Sequence, residues 1–517
     1  MSVTPLPPSL LRGAFIVSAM FVLSASALLR FTQLEDRPLH FDEGTNARIL
    51  STELETGSAA FDPAHHHGPL LSLMTARIVR ARGESGWEDL TKRSLRLGVA
   101  ACGVFTILAS LLLGRVDRMG RKVGLKGWAG DGLAAAAFIA TSPMLVYYSR
   151  MFIHEPLFVA CGMLTLLGLL HFHCTPSLVS AIFLGLGAGL MAAARETFVF
   201  SLLAWGLATL PWLLHWHREN KHAAVLRHLF TALSLLVIIT AFIYSDYFRR
   251  PTGLLDFLTT YIVYDPVAGH DKPFGFYFSM LLLPKYQAGV WWTEILVFLF
   301  ASFGYLRCPV GSRSAARFLM HSGLLHLLMY SLLAYKTPWL ASLGWLHICL
   351  AAGLGANHLV MATRGSKRIL ALGMIGAALI WQGVQAHRAC FRFASDARNP
   401  YAYVPTSTDI ERMAIWLENL VEKHPELNAE PAAVVGNFYW PLPWYLREFD
   451  QVGYWNELPD NAAKRPLLFI LPTTKSSGPD DLEASHVLFP RGLRHEVPVT
   501  VAIRKDIWER ENAASSP

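Results

Sequence analysis

Cysteine is scarce in this chain of 517 residues and carries no pattern. The 6 cysteines (Cys102, Cys161, Cys174, Cys308, Cys349 and Cys390) lie mostly within or beside apolar runs. No CxxC pair or other paired spacing occurs, which argues against a disulfide framework or a structural zinc site. Charge is scarce as well: 16% of residues are charged and 53% are hydrophobic, and the mean hydropathy is +0.34. That balance excludes an ordinary soluble globule and points to a polytopic membrane protein. There is no Gly-rich phosphate loop, no GxSxG elbow and no HExxH helix. Internal repeats and low-complexity tracts are missing too. The net charge of +7 is not a nucleic-acid signal, because the basic residues fall in short clusters between apolar runs.

What the chain has in quantity is apolar sequence. A span needs about 20 mostly apolar residues. About eleven such runs fall near 10–30, 95–114, 131–149, 156–173, 177–194, 197–214, 224–244, 287–306, 316–335, 338–361 and 368–386. Within the first, Ala25-Ser26-Ala27 has the look of a signal cleavage site, but the many spans that follow favour a retained anchor. The run from Leu178 to Leu214 is too long for one span, and Arg195-Glu196 is the charged point where it turns. Basic clusters at Arg115–Lys126, Arg218–Arg227, Arg307–Arg317 and Arg364–Arg368 all fall on one side by this count. The positive-inside rule makes that side cytoplasmic. The N-terminus is then inside and the C-terminus outside. The segment 31–94, the turn from Arg150 to Glu155, Arg195-Glu196, the loop 245–286, Lys336 and everything after about His387 face outward.

The expected fold class is a polytopic α-helical membrane protein with a small C-terminal α/β domain outside. The membrane domain covers 1–386 and the outer domain 387–517. Two surface helices are expected in the first outer loop, Asn46–Glu55 and Leu70–Val79. Thr408–Leu420 reads as an amphipathic helix, and Ala432–Val435, Leu467–Leu471 and Val497–Ile503 read as strands.

Several polar groups on the outer face need a reason to be there. Asp42 and Glu43 follow directly on the first span. Ionisable residues near lipid are costly and often functional; a solvated acid pair marking a span end is the plainer reading. One of the two suits a general base or metal ligand while the other orients a neighbour. His65, His66 and His67 run consecutively, which suits loop packing better than joint ligation of one ion. Arg150 and Glu155 either pair with each other, or Arg150 meets a phosphate or the first-loop acids. Arg195 suits a phosphate through its planar guanidinium; an Arg–Glu pair between helices is the alternative. Lys336 stands alone between two apolar runs beside Trp339, as a phosphate partner or an interfacial anchor. The loop 245–286 adds Asp246, Arg249, Arg250, Asp256, Asp265, His270, Asp271, Lys272 and Lys285 among aromatics, with no specific spacing.

Taken together these residues resemble a known family. His40-Phe41-Asp42-Glu43-Gly44, Phe61-Asp62-Pro63 with His67-Gly68-Pro69, and Arg150 to Glu155-Pro156 fit the polytopic glycosyltransferases of the GT-C superfamily, family 39 included. So do Arg195-Glu196-Thr197, Lys336-Thr337-Pro338-Trp339, Asn399-Pro400 through Thr406-Ser407, and Tyr439-Trp440-Pro441-Leu442-Pro443-Trp444-Tyr445. The pattern looks most like the archaeal-type branch labelled flippase activity-associated. The resemblance implies a polyprenyl-phosphate sugar donor, an unidentified protein, lipid or glycan acceptor, and work at the outer leaflet of the cell membrane. Asp42 would act as general base or help hold a metal, with Glu43 beside it. Arg195 and Lys336 would hold the donor phosphate, with Arg150, Glu155, Glu196 and His67 around the substrate. A divalent ion, with Asp42 and His65 as candidate ligands, is the one cofactor left open. The other reading is a non-catalytic flippase or transport-associated protein for lipid-linked sugars.

Overall fold

The computed structural model describes residues 8–58, 61–114, 125–218, 222–263, 271–308, 310–428, 430–472 and 482–514. Asp265, His270, Lys221 and the basic residues from Arg115 to Lys122 lie outside the described residues. Nineteen α-helices and seven strands are used below. The helices of the membrane half are α1 (Pro8–Phe31), α2 (Phe41–Thr56), α3 (Leu70–Ala81), α4 (Lys92–Ser110), α5 (Leu125–Thr141), α6 (Pro143–Tyr148), α7 (His154–Cys174), α8 (Leu178–Ala194), α9 (Phe198–Arg218) and α10 (His222–Tyr244). They continue with α11 (Gly253–Val263), α12 (Phe276–Leu282), α13 (Ile295–Arg307), α14 (Val310–Leu332), α15 (Ser342–Ala362) and α16 (Ser366–His387).

Every one of the eleven expected spans contains a helix. Among the described residues, six helical stretches are long and apolar enough to cross a membrane, and five shorter apolar helices accompany them. α15 is the hub. Its span is wholly buried, packed against α5, α13 and α14. Small residues permit that approach: a side chain added at Gly355 would meet the Phe300 carbonyl at 2.0 Å, with Gly304 beside it. Close crossings through small residues are how helices associate where lipid removes the hydrophobic drive. At the rim, α1 and α10 keep most of their surface exposed.

The sequence reading needs three corrections. The expected span 131–149 breaks in two, because Ser142 caps a new helix with Pro143 at its first turn. The expected span 287–306 begins only at Ile295. Before it, β1 (Lys285–Gln287) and β2 (Val290–Trp292) form an antiparallel hairpin. Ala288 and Gly289 turn it with φ of 54° and 75°, the geometry that two-residue hairpin turns demand. Asp42 and Glu43, read as loop acids, lie in the first turn of α2. The other expected surface helix, α3, is present.

The tail carries α17 (Asp409–Lys423), β3 (Ala432–Val435), α18 (Leu442–Tyr445), β4 (Val452–Trp455), β5 (Leu467–Ile470), β6 (His486–Arg494), β7 (Val497–Arg504) and α19 (Lys505–Ala514). The strands form one sheet in the order β4-β3-β5-β7-β6. β3 runs parallel to both β4 and β5, and β7 antiparallel to β5 and β6. α17 lays Ile410, Met413, Leu417 and Leu420 on this sheet, an i, i+3, i+7, i+10 stripe.

The tail is bonded to the membrane half at several points. The Tyr401 hydroxyl donates to buried Glu294 at 3.0 Å. The Thr406 hydroxyl donates to the Leu39 carbonyl at 2.8 Å, and the Leu39 N–H donates to the Tyr445 hydroxyl at 2.8 Å. These bonds fix the tail over the start of α2.

Candidate active site

α2 begins with a capping box whose cap is a histidine. The Asp42 N–H donates to His40 Nδ1 at 3.2 Å, and the His40 N–H donates to Glu43 Oε2 at 2.9 Å. Reciprocal bonds of this kind satisfy two orphan donors of a first turn. The other ring nitrogen, Nε2, lies 3.0 Å from the Tyr403 carbonyl. With Nδ1 accepting, Nε2 carries the proton and the ring is neutral. Burial holds it so, pushing its pKa down to about 4 against the pull of Glu43.

Helix geometry sends the two adjacent acids in different directions. Glu43 is fully buried. Arg96 of α4 donates to both its oxygens, at 2.7 and 2.8 Å. The Phe152 N–H donates at 2.8 Å, and Arg37 stands at 3.6 Å. Burial alone would raise this carboxyl, but Arg96, Arg37 and the donors outweigh it and hold it at about 2. Glu43 is a permanent anion that ties α2 to α4 and to the chain before α7.

Asp42 keeps 34% of its side chain open. Burial pushes its carboxyl up to about 7, and Glu43 adds to the rise. Arg195 and Arg494 pull the other way without cancelling it. Asp42 in turn raises the Tyr403 phenol, together with burial, to about 12. The groups coupled to Asp42 thus come from distant parts of the chain. Arg195 caps the C-terminus of α8, Tyr403 precedes α17, and Arg494 ends β6. The Arg494 guanidinium lies 5.3 Å from the Phe41 ring centre and donates to the Phe438 carbonyl at 2.6 Å.

Arg195 is buried and paired with Glu155, with Glu196 at 3.7 Å. The Glu196 carboxylate accepts from His67 Nδ1, 3.0 Å away. Burial raises Glu196, but His67 and Arg195 win and leave it at about 2. His67 reaches this place because Gly68 presses on α8: a side chain there would meet the Ala193 carbonyl at 2.2 Å. Beside α2, a small cavity of about 20 Å³ is lined by Asn46, His66, His67, Phe152 and His154 among others.

The structure therefore gathers Asp42, Arg195, Glu155, Glu196 and His67 in one charged network. Arg150 stands elsewhere. It donates to the Leu29 and Gln33 carbonyls at 2.7 and 3.0 Å and stacks on Phe391. It caps the end of α1 and pairs with neither first-loop acid. Lys336 is buried and donates to the Lys272 carbonyl at 2.9 Å and to the Leu333 carbonyl. Its neighbour Trp339 packs edge-on to His40 and Tyr403, at 5.8 and 5.7 Å. His65 pairs with Asp62 on an exposed turn at 2.8 Å. Among the described residues no group of three or more His, Cys, Asp or Glu is placed to hold a metal ion.

Sequence reasoning missed Arg96, Arg37, Tyr403 and Arg494. Arg96 was legible as the cation one turn further into α4 than Lys92 and Arg93, where the helix turns apolar. Nothing local marks the other three.

Comparison with solved structures finds the same fold elsewhere. ArnT from Cupriavidus metallidurans in the apo state matches with a TM-score of 0.62 at 13% identity, covering 96% of this chain and 99% of that one. The chain has the fold of ArnT over nearly its whole length. The same ArnT bound to undecaprenyl phosphate matches at 0.61 and 14% identity, over 97% of this chain and 99% of that one. The Saccharomyces cerevisiae O-mannosyltransferase Pmt1-Pmt2 complex bound to the sugar donor aligns over 48% of this chain and 34% of that one, at 16% identity and a TM-score of 0.37. No family model matches, and neither does any curated protein. The ArnT fold bears out the expected helical membrane architecture and the C-terminal sheet domain. It does not speak to the flippase-associated branch.

Proposed function

We propose that this chain is an integral membrane glycosyltransferase, transferring a sugar from a polyprenyl-phosphate-linked donor to an acceptor at the outer membrane surface. One observation carries the reading. Asp42 is a partly exposed carboxyl held at about 7, on a helix locked in place by Glu43 and within the electrostatic reach of Arg195. A base works best with a pKa near the operating pH. In the reaction, Asp42 takes the proton from the acceptor hydroxyl. The acceptor oxygen forms its bond to the anomeric carbon, and the bond from that carbon to the phosphate oxygen breaks. The electron pair leaves on polyprenyl phosphate. Arg195, already fixed by Glu155 and Glu196, meets that developing charge without reorganising. The ArnT structure that binds undecaprenyl phosphate shares this fold over nearly the whole chain, which supports a donor of that class. Lys336 serves by keeping the Lys272 segment against the site.

The test is release of polyprenyl phosphate from a labelled polyprenyl-phosphate sugar, comparing wild type with Asp42→Asn. Release that collapses in the variant supports the reading. Equal release removes Asp42 from the chemistry. Movement of intact donor between leaflets of a liposome, with no transfer, would point to the flippase reading instead. The outer location predicts that a reporter fused to the C-terminus is active only outside the cytoplasm.

A further inference from the structure

A second cavity of about 990 Å³ opens on the same membrane face, between the outer ends of α1 and α16 and the chain that follows them. Asp42, Arg195 and Glu196 are not among its walls. Its size is at the upper end of ordinary ligand sites. The lining carries three arginines, Arg37, Arg392 and Arg398, against two carboxylates, Asp36 and Asp396, with His387 and His495 beside them. Arg398 is held by Asp396 at 2.6 Å. Arg392 is different: it lies over the Phe393 ring at 5.2 Å, and no carboxylate among the described residues stands within ion-pair reach of it.

The backbone here is unusual too. Arg388–Arg392 forms a single π-helical turn that extends α16. Such turns cost regular hydrogen bonding and recur at functional sites. This one puts His387, Cys390, Phe391 and Arg392 on the cavity wall together. The cavity also sits where a lipid would. Leu28 on α1 and Ile380 on α16 are 63% and 69% exposed, as expected of surfaces facing acyl chains.

We propose that this cavity is an anion site for the phosphate of a membrane lipid headgroup, with Arg392 as the principal contact and the acyl chains along α1 and α16. Arg37 joins it to the first site. Its guanidinium lines the cavity, donates to the Arg150 carbonyl at 3.0 Å and stands 3.6 Å from Glu43. The proposal concerns binding alone and stands apart from the transfer reaction.

The experiment is titration of the intact protein, in neutral detergent, with dihexanoyl phosphatidylglycerol, dihexanoyl phosphatidylcholine and inorganic phosphate, followed by native mass spectrometry. Saturable binding of the anionic lipid is expected, with the zwitterionic lipid and free phosphate weaker. Arg392→Ala should weaken it about tenfold or more, the worth of one charge-assisted hydrogen bond. Arg392→Lys should recover part of the loss. Equal binding of both lipids, or an unchanged affinity in Arg392→Ala, overturns the site. Free phosphate binding as tightly as phosphatidylglycerol overturns the lipid assignment. An unchanged melting midpoint for Arg392→Ala confirms that any loss is not unfolding.

Discussion

The Arg96 guanidinium closes on both oxygens of Glu43, at 2.7 and 2.8 Å, with both side chains out of solvent. Removing one partner of such a pair strands a buried charge and costs about 3–5 kcal/mol. Arg96→Met is therefore expected to lower the unfolding midpoint in detergent by many degrees and to abolish transfer with it. A midpoint equal to wild type would mean that the pair does not hold α2.

Asp42→Asn keeps the size and loses the base. Transfer should fall about 10²- to 10⁴-fold, the usual worth of a positioned base, while the melting midpoint stays near wild type or rises. Loss of transfer accompanied by unfolding would leave the catalytic role unsupported.

The raised Asp42 carboxyl sets a pH profile. The base acts only when ionised, so kcat/KM should climb tenfold per pH unit below about 7 and level off above it. Stability moves the other way. The folded state keeps a proton on Asp42 up to about 7 that the unfolded chain gives up near 3.8. This contribution is present in full below 3.8 and fades as pH rises towards 7. Asp42→Asn should remove that slope from a plot of unfolding midpoint against pH.

Arg494 lowers the Asp42 carboxyl from the tail side. Arg494→Gln should shift the kinetic midpoint upward, above about 7. A midpoint that stays put would separate the tail from the chemistry.

Arg195→Gln removes the cation we propose meets the leaving phosphate, and on that reading kcat should drop about 10²- to 10³-fold. Because Glu155 then loses its partner, the drop alone is ambiguous. The double variant Arg195→Met with Glu155→Met should recover the melting midpoint and leave kcat low. Recovery of kcat would make the pair purely structural.

Gly68→Ala drives a methyl group into the Ala193 carbonyl. Overpacking of this kind costs about 1–3 kcal/mol. It should also push His67 off Glu196, seen as a lowered midpoint together with reduced turnover.

The membrane half was readable because long apolar runs have few alternatives in lipid. Each of the eleven runs contains a helix, and the turn at Arg195-Glu196 fell where the charge interrupted the run. Punctuation was harder. Pro143 reads equally as a helix start or a kink, and the hairpin before Ile295 is apolar enough to pass for a span. β6 escaped notice because Pro490 and Gly492 break its alternation, and β4 because it is short and parallel. The site was half legible. Asp42 and Arg195 stand out as charges in apolar surroundings, but Arg150 stands out equally and serves α1 carbonyls. Tyr403 and Arg494 belong to the site only through folding, from positions some 360 and 450 residues beyond Asp42. The His40 cap was hidden because its ring replaces the Ser, Thr, Asp or Asn that marks most helix starts.

Consecutive positions on an α-helix point about 100° apart. The order Asp-Glu at the head of α2 is therefore not interchangeable. Reversed, the chain would offer Arg96 a carboxylate one methylene too short to be gripped at both oxygens. The open side of the helix, in turn, would carry a longer, freer acid, its carboxyl held less firmly in one place. The pair works as a ruler with two fixed marks, one for anchoring and one for reach.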